Sequence, residues 1–147
     1  MQTMDGATVQ QLIPNRFPIF YVDEVTALVP DQTVTVQKYL THAEDHLNGY
    51  QPGVGRLANS LMIEMMAQAA SVLILHSPVF ANKTAYLAAI NDATFTQPVT
   101  AGHALTITVT MGKVRANMGT VSCAASVAGA PVGQATLHFV VQASDGA

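Results

Sequence analysis

The sequence predicts a single α+β domain, one long helix packed against a mostly antiparallel sheet. Three observations carry this. The stretch from Leu57 to Phe80 is almost wholly apolar and is bounded by turn-forming residues. The second half of the chain alternates apolar and polar residues in three successive runs, the period of a half-buried strand. The 147 residues, 50% of them hydrophobic, suffice for one core that buries about 70% of the unfolded chain's surface.

In chain order, Thr8 to Ile13 is expected to form a short helix stopped by Pro14, whose ring cannot continue it. After Pro18, the β-branched and aromatic run Ile19-Phe20-Tyr21-Val22 reads as a strand ending at Asp23-Glu24. Thr33 to Leu40 alternates through Val34 and Val36 and reads as a second strand. Asn48 to Gly55 is rich in turn residues. The long helix follows, from about Asn59 to His76. Asn59 or Ser60 is placed to cap its start, and Pro78 limits its end. Three alternating runs close the chain: Leu105 to Met111, Val121 to Val127, and Ala135 to Val141, the last after a Gly129-Ala130-Pro131 turn. Short turns between such runs favour antiparallel pairing.

Charge narrows the function. Charged residues make up 10% of the chain, where about 25% is usual, and disorder is thereby excluded. Six Lys+Arg against nine Asp+Glu, a net charge of −3 and the lack of a basic run argue against nucleic-acid binding. So few charges on so small a surface imply that another subunit covers part of it, hence a homo-oligomer. The single cysteine, Cys123, leaves no internal disulfide and no cysteine-built zinc site. Residues 1–6 have neither a basic region nor an apolar one, so no secretory signal is expected and the cytoplasm is the expected compartment. The Leu57–Phe80 stretch is long enough to raise the question of a membrane span. Asn59, Ser60, Glu64, Gln68, Ser71 and His76 make it too polar to face lipid, and a buried helix is the better reading.

That helix carries the candidate chemistry. Between Arg56 and Lys83 the only charged side chain is Glu64. At 100° per residue, Ser60, Glu64, Gln68 and Ser71 fall within an arc of roughly 80°. One reading makes this stripe the solvated face of an amphipathic helix. The sharper reading makes it the polar wall of an internal pocket. A carboxyl held there is poorly hydrated and suits general acid or base work, with Gln68 one turn on to orient it.

Several segments then agree, in order, with a known family. Leu61-Met62-Ile63-Glu64-Met65-Met66-Ala67-Gln68-Ala69-Ala70 resembles the central helix of the FabZ-type 3-hydroxyacyl-ACP dehydratases, which have the hotdog fold. Leu12-Ile13-Pro14-Asn15-Arg16-Phe17-Pro18 resembles their Leu-Pro-His-Arg-Tyr-Pro signature, with Asn15 in place of the histidine. Tyr86 to Phe95 and Gln97 to Gly102 resemble the next strand and loop. The similarity runs from about Leu12 to Val141.

The resemblance implies a long helix wrapped by an antiparallel sheet, and a dimer with its active site between subunits. A histidine of one subunit removes the α-proton of a 3-hydroxyacyl thioester. A glutamate of the other assists departure of the hydroxyl as water, and backbone N–H groups stabilise the enolate-like oxygen. No metal or organic cofactor is needed. Glu64 matches the family's glutamate and Gln68 its nearby glutamine. The family's Gly-His-Phe-Pro-Gly is here Gly49-Tyr50-Gln51-Pro52-Gly53, so Tyr50 stands at the position of the base. The Met-Pro-Gly-Val that opens the family's helix is Leu57-Ala58-Asn59-Ser60, and Thr96 and Gln97 occupy positions often basic in the family. The implied site is therefore Glu64 and Tyr50 as catalytic residues, with Gln68, Gly49, Pro52, Gly53 and Ser60 binding substrate.

At neutral pH only about one ordinary tyrosine in a thousand is ionised, so Tyr50 is a donor rather than a base, or a packing residue. His46, four residues earlier, is either a replacement base or a surface or satisfied histidine. His42, His76, His103 and His138 are scattered without ligand spacing, and Met62, Met65 and Met66 read as core or pocket lining. Three functions fit: a 3-hydroxyacyl-thioester dehydratase acting on acyl-ACP or acyl-CoA; a hotdog acyl thioesterase in which Glu64 activates water; and a non-catalytic acyl-thioester binder. In its specific form the last is a partner subunit that lends Glu64 to an intact dehydratase in a mixed dimer.

Overall fold

The computed structural model describes residues 1–50, 53 and 55–144, with the backbone alone for 48–50. Ten elements follow in order: β1 (Gln2–Asp5), α1 (Gly6–Leu12), β2 (Glu24–Val29), β3 (Thr33–Tyr39), α2 (Asp45–Tyr50), α3 (Asn59–His76), β4 (Lys83–Phe95), β5 (Ala104–Arg115), β6 (Met118–Val127) and β7 (Ala130–Ala143). Among the described residues the strands form one seven-stranded sheet in the order β1-β2-β3-β5-β6-β7-β4, and every neighbouring pair is antiparallel.

The sheet wraps α3, which touches β3, β4, β5 and β6. Met62, Met65, Met66, Ala69, Val72, Leu73 and Ile74 are all almost fully buried on the helix. Opposite them the inward residues of the strands alternate as the pleat requires, Val34 and Val36 on β3, Leu105, Ile107 and Val109 on β5, Val121 and Cys123 on β6. Burying each large side chain stabilises the fold by about 1.5–3 kcal/mol. Only Leu61, Glu64, Ala67 and Ser71 keep partial exposure along the middle of α3, a narrow stripe at helical spacing.

The predicted bounds of α3 and β3 agree with the structure, and the three predicted C-terminal runs lie inside longer strands, β5 running on to Arg115, β6 starting at Met118 and β7 at Ala130. Five local readings are corrected. Ile19–Val22 is not a strand; pairing begins at Glu24. The run is apolar because Tyr21 and Val22 are buried, but the Tyr21 N–H donates to the Gln68 side chain rather than to a neighbouring strand. Gln2–Asp5 pairs with β2 as an edge strand, which the polar sequence there did not suggest. The turn-rich stretch opens inside α2, a helix of six residues. Neither Asn59 nor Ser60 caps α3; its N-cap is Ala58, which has no side-chain acceptor to offer. The β6–β7 turn is Ala128-Gly129, both at positive φ as a tight hairpin requires, one residue earlier than predicted.

Candidate functional site

Glu64 sits at the centre of the partly open stripe of α3 and lines a cavity of about 200 Å³. Among the described residues it is the one charged side chain in that lining. Asn15, Gln68 and Ser71 give the polar remainder, and Ala67, Ala70, Ile74, Val121, Leu137 and Phe139 the apolar walls. Ala85, Tyr86 and Leu87 of β4 complete it. β4 is the edge strand of the sheet, so the cavity lies where the sheet ends. A space polar at one point and apolar elsewhere suits a chain with one reactive head.

Gln68 fixes the carboxyl. It is 1% exposed, and all its polar atoms are used. Its Nε2 donates to Glu64 Oε1 at 2.9 Å and to the Ile19 carbonyl at 3.3 Å; its Oε1 accepts from the Tyr21 N–H at 2.8 Å. One amide thus joins the carboxyl, one turn away, to the segment before β2. The second carboxyl oxygen, Oε2, has no hydrogen-bond partner among the described residues. Ser71 donates its hydroxyl proton to the Ala67 carbonyl at 3.0 Å, one turn back. Burial first, and then the charge of Glu64, push the Tyr21 phenol above its ordinary pKa, while Lys38 pulls it the other way.

Of the residues the sequence singled out, Glu64 and Gln68 are brought together. Ser60 is exposed in the first turn of α3 and is not part of the cavity lining. Gly49 and Tyr50 end α2, and their side-chain surroundings, Tyr50's among them, lie outside the described residues, as does Pro52 altogether. Gly53 is exposed in a turn with φ +84°, a conformation that favours glycine. His46 is mostly buried, its Nε2 2.5 Å from Glu44 Oε2. Sequence reasoning did not place Asn15 or Tyr21 at the site. Asn15 stood out only as a departure from a motif, and Tyr21 was hidden inside an apolar run whose backbone partner is a side chain 47 residues away.

Among the described residues no group of three or more His, Cys, Asp or Glu could hold a metal ion, and no helix is long and apolar enough to cross a membrane.

A model of the FabA-like domain matches residues 13–136. The chain is 45% identical over 145 residues to the 3-hydroxyacyl-(acyl-carrier-protein) dehydratase FabZ of Lactiplantibacillus plantarum, covering 99% of both. It is 37% identical over 133 residues to a FabZ of Enterococcus faecalis, covering 90% of this chain and 94% of that one. Among solved structures, the dehydratase heterocomplex ApeI:P from Xenorhabdus doucetiae superposes with a TM-score of 0.78 at 21% identity, over 93% of this chain and 91% of that one. A hypothetical thioesterase with coenzyme A from Streptococcus pneumoniae gives 0.66 at 14% identity, over 93% of each. The two structural likenesses speak for the fold. The sequence relatives, matched nearly end to end, go further: this chain is a hotdog-fold member of the FabZ-type dehydratase family.

Proposed function

We propose that the chain dehydrates a 3-hydroxyacyl thioester, carried by an acyl carrier protein or coenzyme A, to the 2-enoyl thioester in the cytoplasm. The observation that supports this is Glu64, a lone carboxyl pinned by Gln68 at the polar point of an otherwise apolar cavity. In the proposed reaction a base takes a proton from C2, and the electron pair moves onto the thioester oxygen. It returns to form the C2=C3 bond as the C3–O bond breaks. Glu64, as its carboxylic acid, gives the departing hydroxyl its proton and water leaves. Tyr50 donates a hydrogen bond to the acyl thioester. Gly49, Pro52, Gly53 and Ser60 are assigned to substrate binding. No cofactor enters.

The working unit is proposed to be a homodimer. β4 is an unpaired edge with Tyr86, Leu87 and Ile90 each more than 40% exposed, and such edges are normally covered. A second copy there would close the open side of the cavity. A mixed dimer with an intact dehydratase is the second reading. It is favoured by the pairing of a retained Glu64 with Tyr50 in place of histidine, and a structural neighbour is itself a dehydratase heterocomplex.

Two assays test these readings. Pure protein is given a 3-hydroxyacyl thioester and a saturated acyl thioester. Enoyl product from the first, with no free thiol from either, is expected. Thiol release from both would replace dehydration with hydrolysis. Co-expression with a histidine-bearing relative then separates the assemblies: recovery of separate homodimers alone removes the mixed dimer.

A further inference from the structure

Gln68 holds Glu64 on one side and the Ile19–Tyr21 backbone on the other. Beyond that segment lies a second cavity of about 450 Å³. Phe17 to Tyr21 form one wall, and Lys38, Glu44 and His46 stand in the facing one. His46 Nε2 meets Glu44 Oε2 at 2.5 Å. Glu44 Oε1 accepts from Lys38 Nζ at 3.0 Å, and Lys38 reaches Asp23 Oδ2 at 3.4 Å. The imidazole stands edge-on to the Tyr21 ring, 5.5 Å between centroids at 79°. Its other nitrogen, Nδ1, is enclosed and has no hydrogen-bond partner among the described residues.

A carboxylate that accepts from one imidazole nitrogen leaves the other as a lone pair, and in native structures an enclosed nitrogen without a partner calls for a reason. The placement along the chain supplies one. His46 and position 50 are one turn apart on α2, so they share a helix face. The chain that lacks a histidine at position 50 has one a turn earlier, backed by a carboxylate, and tied through Tyr21 and Gln68 to Glu64.

We infer that the Glu44–His46 pair is the base of this site. The inference rests on the dehydratase reading above. Nδ1 takes the C2 proton of the 3-hydroxyacyl thioester, and the Nε2 proton stays shared with Glu44, which holds the tautomer. The electron pair passes through the thioester oxygen into the new double bond, and the C3 hydroxyl leaves as water with the proton of a Glu64 carboxyl. The imidazolium then returns its proton to that carboxylate, which resets both groups. The enclosed Nδ1 meets substrate only when the Phe17–Phe20 wall or the ring itself gives way to the acyl head, since such contacts tighten in the bound complex. Groups that bear on the imidazole are Glu44 and Asp45 beside it, Tyr21 and Asp23 from the segment entering β2, and Lys38 from β3.

The test is steady-state dehydration of a 3-hydroxybutyryl thioester of N-acetylcysteamine by the full chain, read as a pH profile. Wild type is expected to show one pH limb that depends on His46. His46→Gln and His46→Phe are each expected to lower kcat by at least about 100-fold with KM little changed, and to abolish the limb. Tyr50→His added to His46→Gln is expected to restore at least tenfold, which a merely structural histidine would not allow. His46→Phe keeps an apolar filler against Tyr21, and its thermal midpoint reports whether the fold survives. An active wild type with unchanged kcat in both variants overturns this assignment and leaves the dehydratase reading standing. A wild-type profile without the limb also overturns it, with no variant needed. A wild type that forms no enoyl product overturns both.

Discussion

A buried glutamine with every polar atom engaged is the residue on which the site depends. Gln68 replaces strand pairing for Ile19–Tyr21 and orients Glu64 at once. Gln68→Leu would leave the Tyr21 N–H and the Ile19 carbonyl unpaired, at a cost of about 1–3 kcal/mol for each group. A urea titration should show at least that loss, and the dehydration rate should fall with it; unchanged stability would mean the amide is not the link. Cys123 gives a second prediction at this scale. Burial pushes its thiol well above the ordinary thiol range, up to about 12. The thiol should ignore alkylating reagents in the native protein at pH 8 and react once unfolded. The neutral form is favoured in the fold, so this contribution is whole below about pH 9 and is lost as pH rises toward 12. Cys123→Ala should flatten the stability profile in that window, measured by denaturant melts at several pH values.

The strands and the long helix were legible because each has one buried face and one period. Val34 and Val36, or Leu105, Ile107 and Val109, repeat every second residue, and α3 is apolar nearly all round because the sheet wraps it. What the sequence hid was set by distant partners. Ile19–Val22 has strand composition yet bonds to a helix side chain, and α2 lies in a stretch whose Asn48, Gly49, Pro52 and Gly53 read as turn. The site was half legible for the same reason. Glu64 and Gln68 stand at i and i+4 on one helix, whereas Tyr21, Glu44 and Lys38 come together only in the fold. One close approach inside the sheet sets a further expectation. A Cβ at Gly119 would lie 2.7 Å from Phe139 Cζ and 2.9 Å from the Lys113 carbonyl oxygen. Because that oxygen is backbone, the β5–β6 hairpin must shift. Gly119→Ala should cost about 1–3 kcal/mol in a denaturant melt; a variant as stable as wild type would show that the hairpin adjusts freely.

At the scale of the whole molecule, the sheet has two edges and they differ. β1 is four residues long, and three of them are exposed. β4 is thirteen residues long, exposed along most of its length, and carries Tyr86, Leu87 and Ile90. The homodimer proposed above would cover it and close the cavity beside Glu64. Ile90→Lys places a charge on that edge without touching the cavity lining. Sedimentation should find wild type as a dimer or a multiple of it and the variant shifted toward monomer, with activity falling in step. A wild-type monomer with full activity would separate the site from any second copy.

In the proposed reaction one carboxyl on α3, Glu64, supplies the acid. Glu64→Gln keeps the side chain's shape and its neighbours while removing the exchangeable acid. The decisive measurement is the initial rate of enoyl formation from a 3-hydroxyacyl thioester, wild type beside Glu64→Gln, with both shown folded. A fall of at least about 100-fold is predicted, and equal rates in the two proteins would contradict it.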